Sequence, residues 1–198
     1  TMKVGGCADW FMPLEPLDLS PKSIYFKPDG TELFFSGHNL DKIYNISLST
    51  AWDLSTGTLN YTLDVNAQTL TPYGLTFNTA GTKMWIGDAN NLIYEYDLSA
   101  AWDLSTVSFN YTKLGETTGA DITDVFVSSD GSKFYYVDFN NDTVYTYPLS
   151  TAYDLSTAGT AVAWTGFVTQ ENQPKSICFS SDGTKVYLSG SSGDDFNQ

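Results

Sequence analysis

Apolar positions fall in short runs separated by clusters of Gly, Asn, Asp, Ser and Thr, and no segment carries a helical period of useful length. Some runs are continuously apolar, such as Leu33-Phe34-Phe35, Met84-Trp85-Ile86 and Phe134-Tyr135-Tyr136-Val137. These read as strands buried on both faces. Others alternate, such as Ile43-Tyr44-Asn45-Ile46-Ser47-Leu48, Ile93-Tyr94-Glu95-Tyr96-Asp97-Leu98 and Val144-Tyr145-Thr146-Tyr147-Pro148-Leu149. Alternation with period two marks a strand with one face more buried than the other. Between a first strand (23–26, 74–77, 124–127, 176–179) and a second, the link Asp-Gly, once Ala-Gly, predicts a tight hairpin, because Gly accepts positive φ. A fourth strand is expected near 59–63, 109–113 and 161–165.

The same order of elements returns along the chain. Ala51-Trp52-Asp53-Leu54-Ser55-Thr56 recurs as Ala101-Trp102-Asp103-Leu104-Ser105-Thr106 and as Ala152-Tyr153-Asp154-Leu155-Ser156-Thr157, at spacings of 50 and 51. The hairpin glycines Gly30, Gly81, Gly131 and Gly183 are spaced 51, 50 and 52. Two markers in phase establish an internal repeat, and four antiparallel strands per repeat of this length predict a propeller blade. The expected fold is therefore all-β: a β-propeller with four-stranded antiparallel blades, three full blades plus a partial fourth. The blades span 21–65, 72–115 and 122–166, and the partial blade spans 174–190. Three closures stay open. Residues 2–14 could complete the partial blade within one chain. Two chains could pair into a homodimeric ring of seven or eight blades, because an open blade exposes an apolar face and an unpaired edge. Or the sequence is a fragment of a longer gene.

The unit Pro-x-x-Ile/Leu-x-Phe-x-x-Asp-Gly-Thr-Lys, seen from Pro21 to Glu32, Pro72 to Lys83 and Pro174 to Lys185, resembles the repeats of YVTN-like and lactonase-like β-propellers. With Ser-Thr-Ala-Trp-Asp-Leu-Ser-Thr it also resembles repeats of surface or tail proteins of marine bacteria and their viruses. The resemblance implies the fold and says little of activity, since propellers host many functions.

Charge narrows the classes. Nine Lys, no Arg, 23 acidic residues and one His give a formal charge of −14. Nucleic acid is excluded as a partner, because phosphate neutralisation supplies most of that affinity. The bidentate guanidinium is missing altogether. No run of 18 apolar residues would cross a membrane as a helix. No charged and then apolar leader is visible. Cys7 and Cys178 stand far apart and leave the redox compartment open.

Candidate chemistry is sparse. Asp53, Asp103 and Asp154 precede Ser-Thr and read as turn caps, and Trp52, Trp102 and Tyr153 as plugs over the Asp-Gly hairpins rather than sugar platforms. Asp138, Asn140 and Asp142 have the first spacings of a Ca²⁺ loop, but Thr143 and Leu149 stand where Gly and Glu are required, so an EF-hand is rejected and only a looser Ca²⁺ site remains. No other cofactor is indicated. The lone His38 reads as a solvated loop residue, and no Gly-x-Ser-x-Gly elbow accompanies it. Four Asn-x-Ser/Thr sites (Asn45, Asn60, Asn110, Asn141) are expected from repeat copying and composition. Any ligand site is expected on the loop rim, at Gln68, Thr69, Glu116, Thr117, Gln170, Glu171 and Asn172, together with Asp88 and Asp138. The ligand class stays open among glycan, protein and small molecule. The expected function is a non-enzymatic binding or structural propeller, placed at a cell surface or virion as an attachment module. The rival is a metal-assisted hydrolase or lactonase at the tunnel.

Overall fold

A computed structural model describes residues 17–164, 166, 171, 173–180 and 182–191. Residues 2–14, expected as outer strands of the last blade, lie outside them. The strands are β1 (Pro21–Phe26), β2 (Glu32–Gly37), β3 (Lys42–Leu48), β4 (Gly57–Asp64), β5 (Pro72–Phe77), β6 (Lys83–Asp88), β7 (Leu92–Leu98), β8 (Val107–Leu114), β9 (Ile122–Val127), β10 (Lys133–Asp138), β11 (Thr143–Pro148), β12 (Val162–Trp164), β13 (Pro174–Phe179) and β14 (Val186–Gly190). They form three antiparallel sheets of four strands in sequential order and a final pair, β13–β14. The first strands β1, β5, β9 and β13 pack side by side along a common axis. The second strands of the three four-stranded sheets are almost wholly buried, and their fourth strands carry no buried residue.

Each layer between sheets is a separate apolar cluster. Phe34, Ile43 and Val65 of the first sheet meet Leu75, Phe77, Met84, Ile86 and Tyr94 of the second. Trp85 and Ile93 of the second meet Val125, Phe134, Tyr136 and Tyr147 of the third. Tyr135, Val137 and Val144 of the third meet Ile177 and Leu188 of the strand pair. The continuous apolar runs are thus explained: a second strand packs on both neighbours at once.

The Trp-Asp-Leu-Ser-Thr turn closes each complete blade. Asp53, Asp103 and Asp154 cap single 3₁₀ turns by accepting from the backbone of Ser55, Ser105 and Ser156. Trp52, Trp102 and Tyr153 cover Gly30, Gly81 and Gly131 of the hairpin in the same blade. Their backbone N–H groups donate to the carbonyls of those glycines at 2.8, 2.9 and 3.0 Å. The three aromatics hold left-handed φ of 66°, 67° and 61°, which bulky residues adopt only when tertiary contacts enforce it. The glycine beneath must also be glycine: Gly81 has φ 69°, and a Cβ there would enter the Trp102 indole. Gly81→Ala is expected to lose about 2–4 kcal/mol in urea unfolding. A loss below about 1 kcal/mol would mean that the indole simply moves aside.

Candidate functional site

The loop face is organised by one buried carboxylate per blade. In the second blade Asp88, at the end of β6, accepts from Thr69 Oγ1 at 3.0 Å and from the backbone of Asn90 and Leu92 at 2.8 and 3.0 Å. In the third, Asp138, at the end of β10, accepts from Thr117 Oγ1 and from Asn141 Nδ2 at 2.9 Å. The first blade and the strand pair use the reverse arrangement. There the second strand ends in Gly37 or Gly190, and the carboxylate comes from the preceding loop as Asp18 or Glu171. Asp18 accepts from the backbone of Asn39 and Leu40. A Cβ on Gly37 would strike Asp18, and one on Gly190 would strike Glu171. All four carboxylates are buried.

This geometry sorts the rim residues named from the sequence. Thr69, Asp88, Thr117, Asp138 and Glu171 are brought together as internal braces of the loops. Gln68 is half-buried, and its backbone N–H closes a turn onto Val65 O. Glu116 is exposed beside a cavity of about 440 Å³ between the second and third blades, and its N–H donates to Tyr136 Oη. Gln170 and Asn172 lie outside the described residues. Asp142 takes φ 50°, matching Asp41 and Asn91, as the left-handed residue before each third strand. Asn140 Nδ2 donates to Gly119 O. Among the described residues, no three His, Cys, Asp or Glu gather as a metal site.

A second set of residues, not named from the sequence, rings the axis on the same face. Each first strand begins with a pairing irregularity: between Pro21 and Ile24, Pro72 and Leu75, Ile122 and Asp124, and Pro174 and Ser176. Such irregularities re-aim side chains. The second residue of each first strand is Lys22, Tyr73, Thr123 or Lys175. Lys22 Nζ stands 5.0 Å from the Tyr73 ring centre, and Lys175 Nζ 5.2 Å from that of Phe139. His38 meets Tyr73 edge-on at 5.2 Å. It is therefore not the solvated loop residue expected: its ring is half-buried and its Nδ1 has no hydrogen-bond partner among the described residues. Asp121 Oδ1 and Thr123 Oγ1 are likewise buried and unpartnered there. Burial pushes the Asp121 carboxyl above the usual carboxylate range. Asp138 and Asp88 add to that, and Lys22 and His38 oppose it. Buried polar atoms without partners mark places where something else can bond. The signal in the sequence was contrast: the second position of the first strand reads Lys, Tyr, Thr and again Lys along the repeats.

Below this mouth, Asp124 of β9 ties two first strands together. Its Oδ2 accepts from Ser176 Oγ at 2.6 Å and Ile177 N at 3.0 Å. Burial nevertheless raises its pKa to about 6, against the lowering effect of those bonds. The hairpin aspartates Asp29, Asp130 and Asp182 move the other way, to about 2, through hydrogen bonds from neighbouring Ser and Thr. The signs give a maximum. Above pH 6 the folded state carries an ionised Asp124 that it disfavours, and protonation relieves this as pH falls from about 6 toward the ordinary 3.8. The hairpin aspartates contribute stability above 3.8 that is lost as pH falls toward 2. Calorimetry is expected to show Tm rising from pH 7 to about 5 and falling below about 4. Asp124→Asn should flatten the upper limb. A Tm that falls steadily from pH 7 would contradict this account.

No protein-family model matches the chain, and no curated protein matches it in sequence. Solved structures do. A protein from Lactobacillus plantarum superposes with TM-score 0.63 at 16% identity, over 89% of this chain and 49% of its own. A candidate 6-phosphogluconolactonase from Bacteroides fragilis gives 0.58 at 17%, over 85% and 47%. The Cps50 (Swd1) β-propeller domain of Myceliophteria thermophila gives 0.58 at 13%, over 87% and 51%. The fold is a β-propeller. The chain spans about half the length of these solved structures. At such identities the likeness carries the architecture alone. The sheets described above are its blades, β1, β5, β9 and β13 are their axial strands, and the mouth ringed by Lys22, His38, Tyr73 and Asp121 opens on the propeller axis.

Proposed function

We propose that the protein is a non-enzymatic binding propeller that holds a small polar ligand, or a polar residue of a partner, at the axial mouth of the loop face. Service as an attachment module at a cell surface or virion is one use of such a site. The observation that supports the reading is the contrast between repeats. Positions that recur in every blade cap turns, cover glycines or brace loops, whereas the second position of the first strand changes from Lys22 to Tyr73 and Thr123 and back to Lys175, beside unpartnered atoms of His38, Asp121 and Thr123. The mixture of ammonium, imidazole, carboxyl and aromatic groups suits recognition by several weak contacts.

The test is a thermal-shift screen of polar metabolites, with a lactone hydrolysis panel run beside it. Saturating ligand raises Tm, by about 2.7 kcal/mol of stability at 100 times Kd. The shift should vanish in Asp121→Ala, and no lactone should turn over. Lactone turnover lost in His38→Ala would replace this reading with the hydrolase one. A complete absence of ligand shifts would remove the mouth as a binding site. The reading extends to self-association: Ile24, on the outward face of β1, is 64% exposed, and β14 pairs only with β13 among the described residues. A second copy covering these surfaces would sediment at twice the 21.8 kDa chain mass, and a particle at the chain mass would refute the dimer.

A further inference from the structure

The hairpin face, opposite the mouth, holds a different kind of cavity. Near that end of the axis, each layer between blades is filled by one residue from the fifth position of one first strand and one from the sixth position of the next. Between the first and second blades the pair is Tyr25 and Phe77, with ring centres 5.1 Å apart. Between the third blade and the strand pair it is Phe126 and Phe179, at 4.8 Å. Between the second and third blades the same positions hold Thr76 and Val127. Two aromatic rings are thus replaced by two small β-branched side chains in the middle layer alone. The result is a cavity of about 350 Å³ with Thr76 and Val127 in its lining.

Its walls and rim have distinct chemistry. Tyr25, Phe126 and Phe179 line it and stay half-buried, so ring surface faces the space. The rim carries the hydroxyls of Thr79, Ser129 and Ser132, the Lys133 ammonium and the Asp130 and Asp182 carboxylates. It is held in place: Tyr153 Oη donates to Ser129 O and lies 3.4 Å from Thr79 Oγ1, joining two hairpins. Gly183 leaves the fourth hairpin open, since no described residue lies within 4 Å of where its Cβ would be.

We propose that this cavity is a saccharide site that takes one neutral pyranose ring or a disaccharide. The volume lies in the range of small-ligand pockets, roughly 300–1,000 Å³. Aromatic faces carry negative quadrupole density and attract the polarised C–H face of a sugar ring. Short hydroxyls, carboxylates and one ammonium supply the acceptors and donors that ring hydroxyls need. The rim has no Arg and carries two carboxylates against one Lys, within a chain of charge −14, so a neutral sugar fits and an anionic one does not.

The test titrates cellobiose and methyl β-D-glucopyranoside into the ¹⁵N-labelled full chain, with sorbitol (hydroxyls without a ring face) and cyclohexanol (a ring with one hydroxyl) as controls. Expected is millimolar binding of the two sugars, with amide shifts at Ser129, Lys133 and Gly183, and none from the controls. Thr76→Tyr with Val127→Phe rebuilds the aromatic pair of the flanking layers, and should keep the fold while weakening sugar binding at least tenfold. Should that variant not fold, the wild-type shift map decides. Equal binding of sorbitol or cyclohexanol, shifts clustered at His38 and Asp121 instead, or no sugar binding at all would overturn the proposal.

Discussion

Replacing Glu95 with alanine is expected to destabilise the protein by about 3–5 kcal/mol, the loss seen when one partner of a buried pair is removed. Glu95 lies in β7 with no exposed surface. Lys83 Nζ stands 2.6 Å from Oε1, and Asn110 Nδ2 donates to the same oxygen at 2.8 Å. Trp85 Nε1 and Leu155 N donate to Oε2 at 3.0 and 2.8 Å. Alanine would leave the indole N–H and a backbone N–H buried without an acceptor. Lys83 would keep Asp97, at 2.7 Å on the surface, which softens the loss. Glu95→Gln should lose less, because the amide oxygen still accepts. Urea unfolding of both variants checks the order. Equal losses would show that shape, not charge, holds this site.

Asp88→Gly is expected to cost about 3 kcal/mol, since it strands the Thr69 hydroxyl and two loop N–H groups at once. The sharper outcome concerns the double variant. Thr69→Asp with Asp88→Gly recreates in the second blade the arrangement of Asp18 with Gly37. It should recover at least half of the loss, although Thr69→Asp alone places two carboxylates together and destabilises. A double-mutant cycle in urea measures this coupling. If the double variant is as unstable as the sum of the singles, the two arrangements are not interchangeable.

Much of the architecture was legible because local signals repeat. Asp-Gly and Asp-Leu-Ser-Thr have turn chemistry that tertiary context cannot easily override, and they recur in phase. Strand lengths were read short, because Pro21, Pro72 and Pro174 look like punctuation yet each begins a first strand where no ladder N–H is required. The rim was legible only as a place. Thr69 and Thr117 looked like free loop polar groups, and their pairing with Asp88 and Asp138 depends on contacts across about 20 positions. The mouth residues do not stand out by recurrence: Tyr73, Asp121 and Thr123 differ from their counterparts in the other blades, and Lys22 is matched only by Lys175.

Blades touch only their neighbours, so this fold is held together like a short row of plates. The bond from Leu155 N to Glu95 crosses from the third plate to the second. The corresponding residues of the other two complete blades, Asn45 and Thr146, carry no charge. Ser36 Oγ donates across the first layer to Tyr73 O, and Asp124 accepts across the third from Ser176 and Ile177, so every layer is crossed. What sets the two middle plates apart is that each packs on two neighbours, and loss of structure then begins at the flanks and moves inward. Amide exchange should be slowest in β6 and β10 and faster in β1 and β14, through local openings that lie below the global transition read by urea and calorimetry.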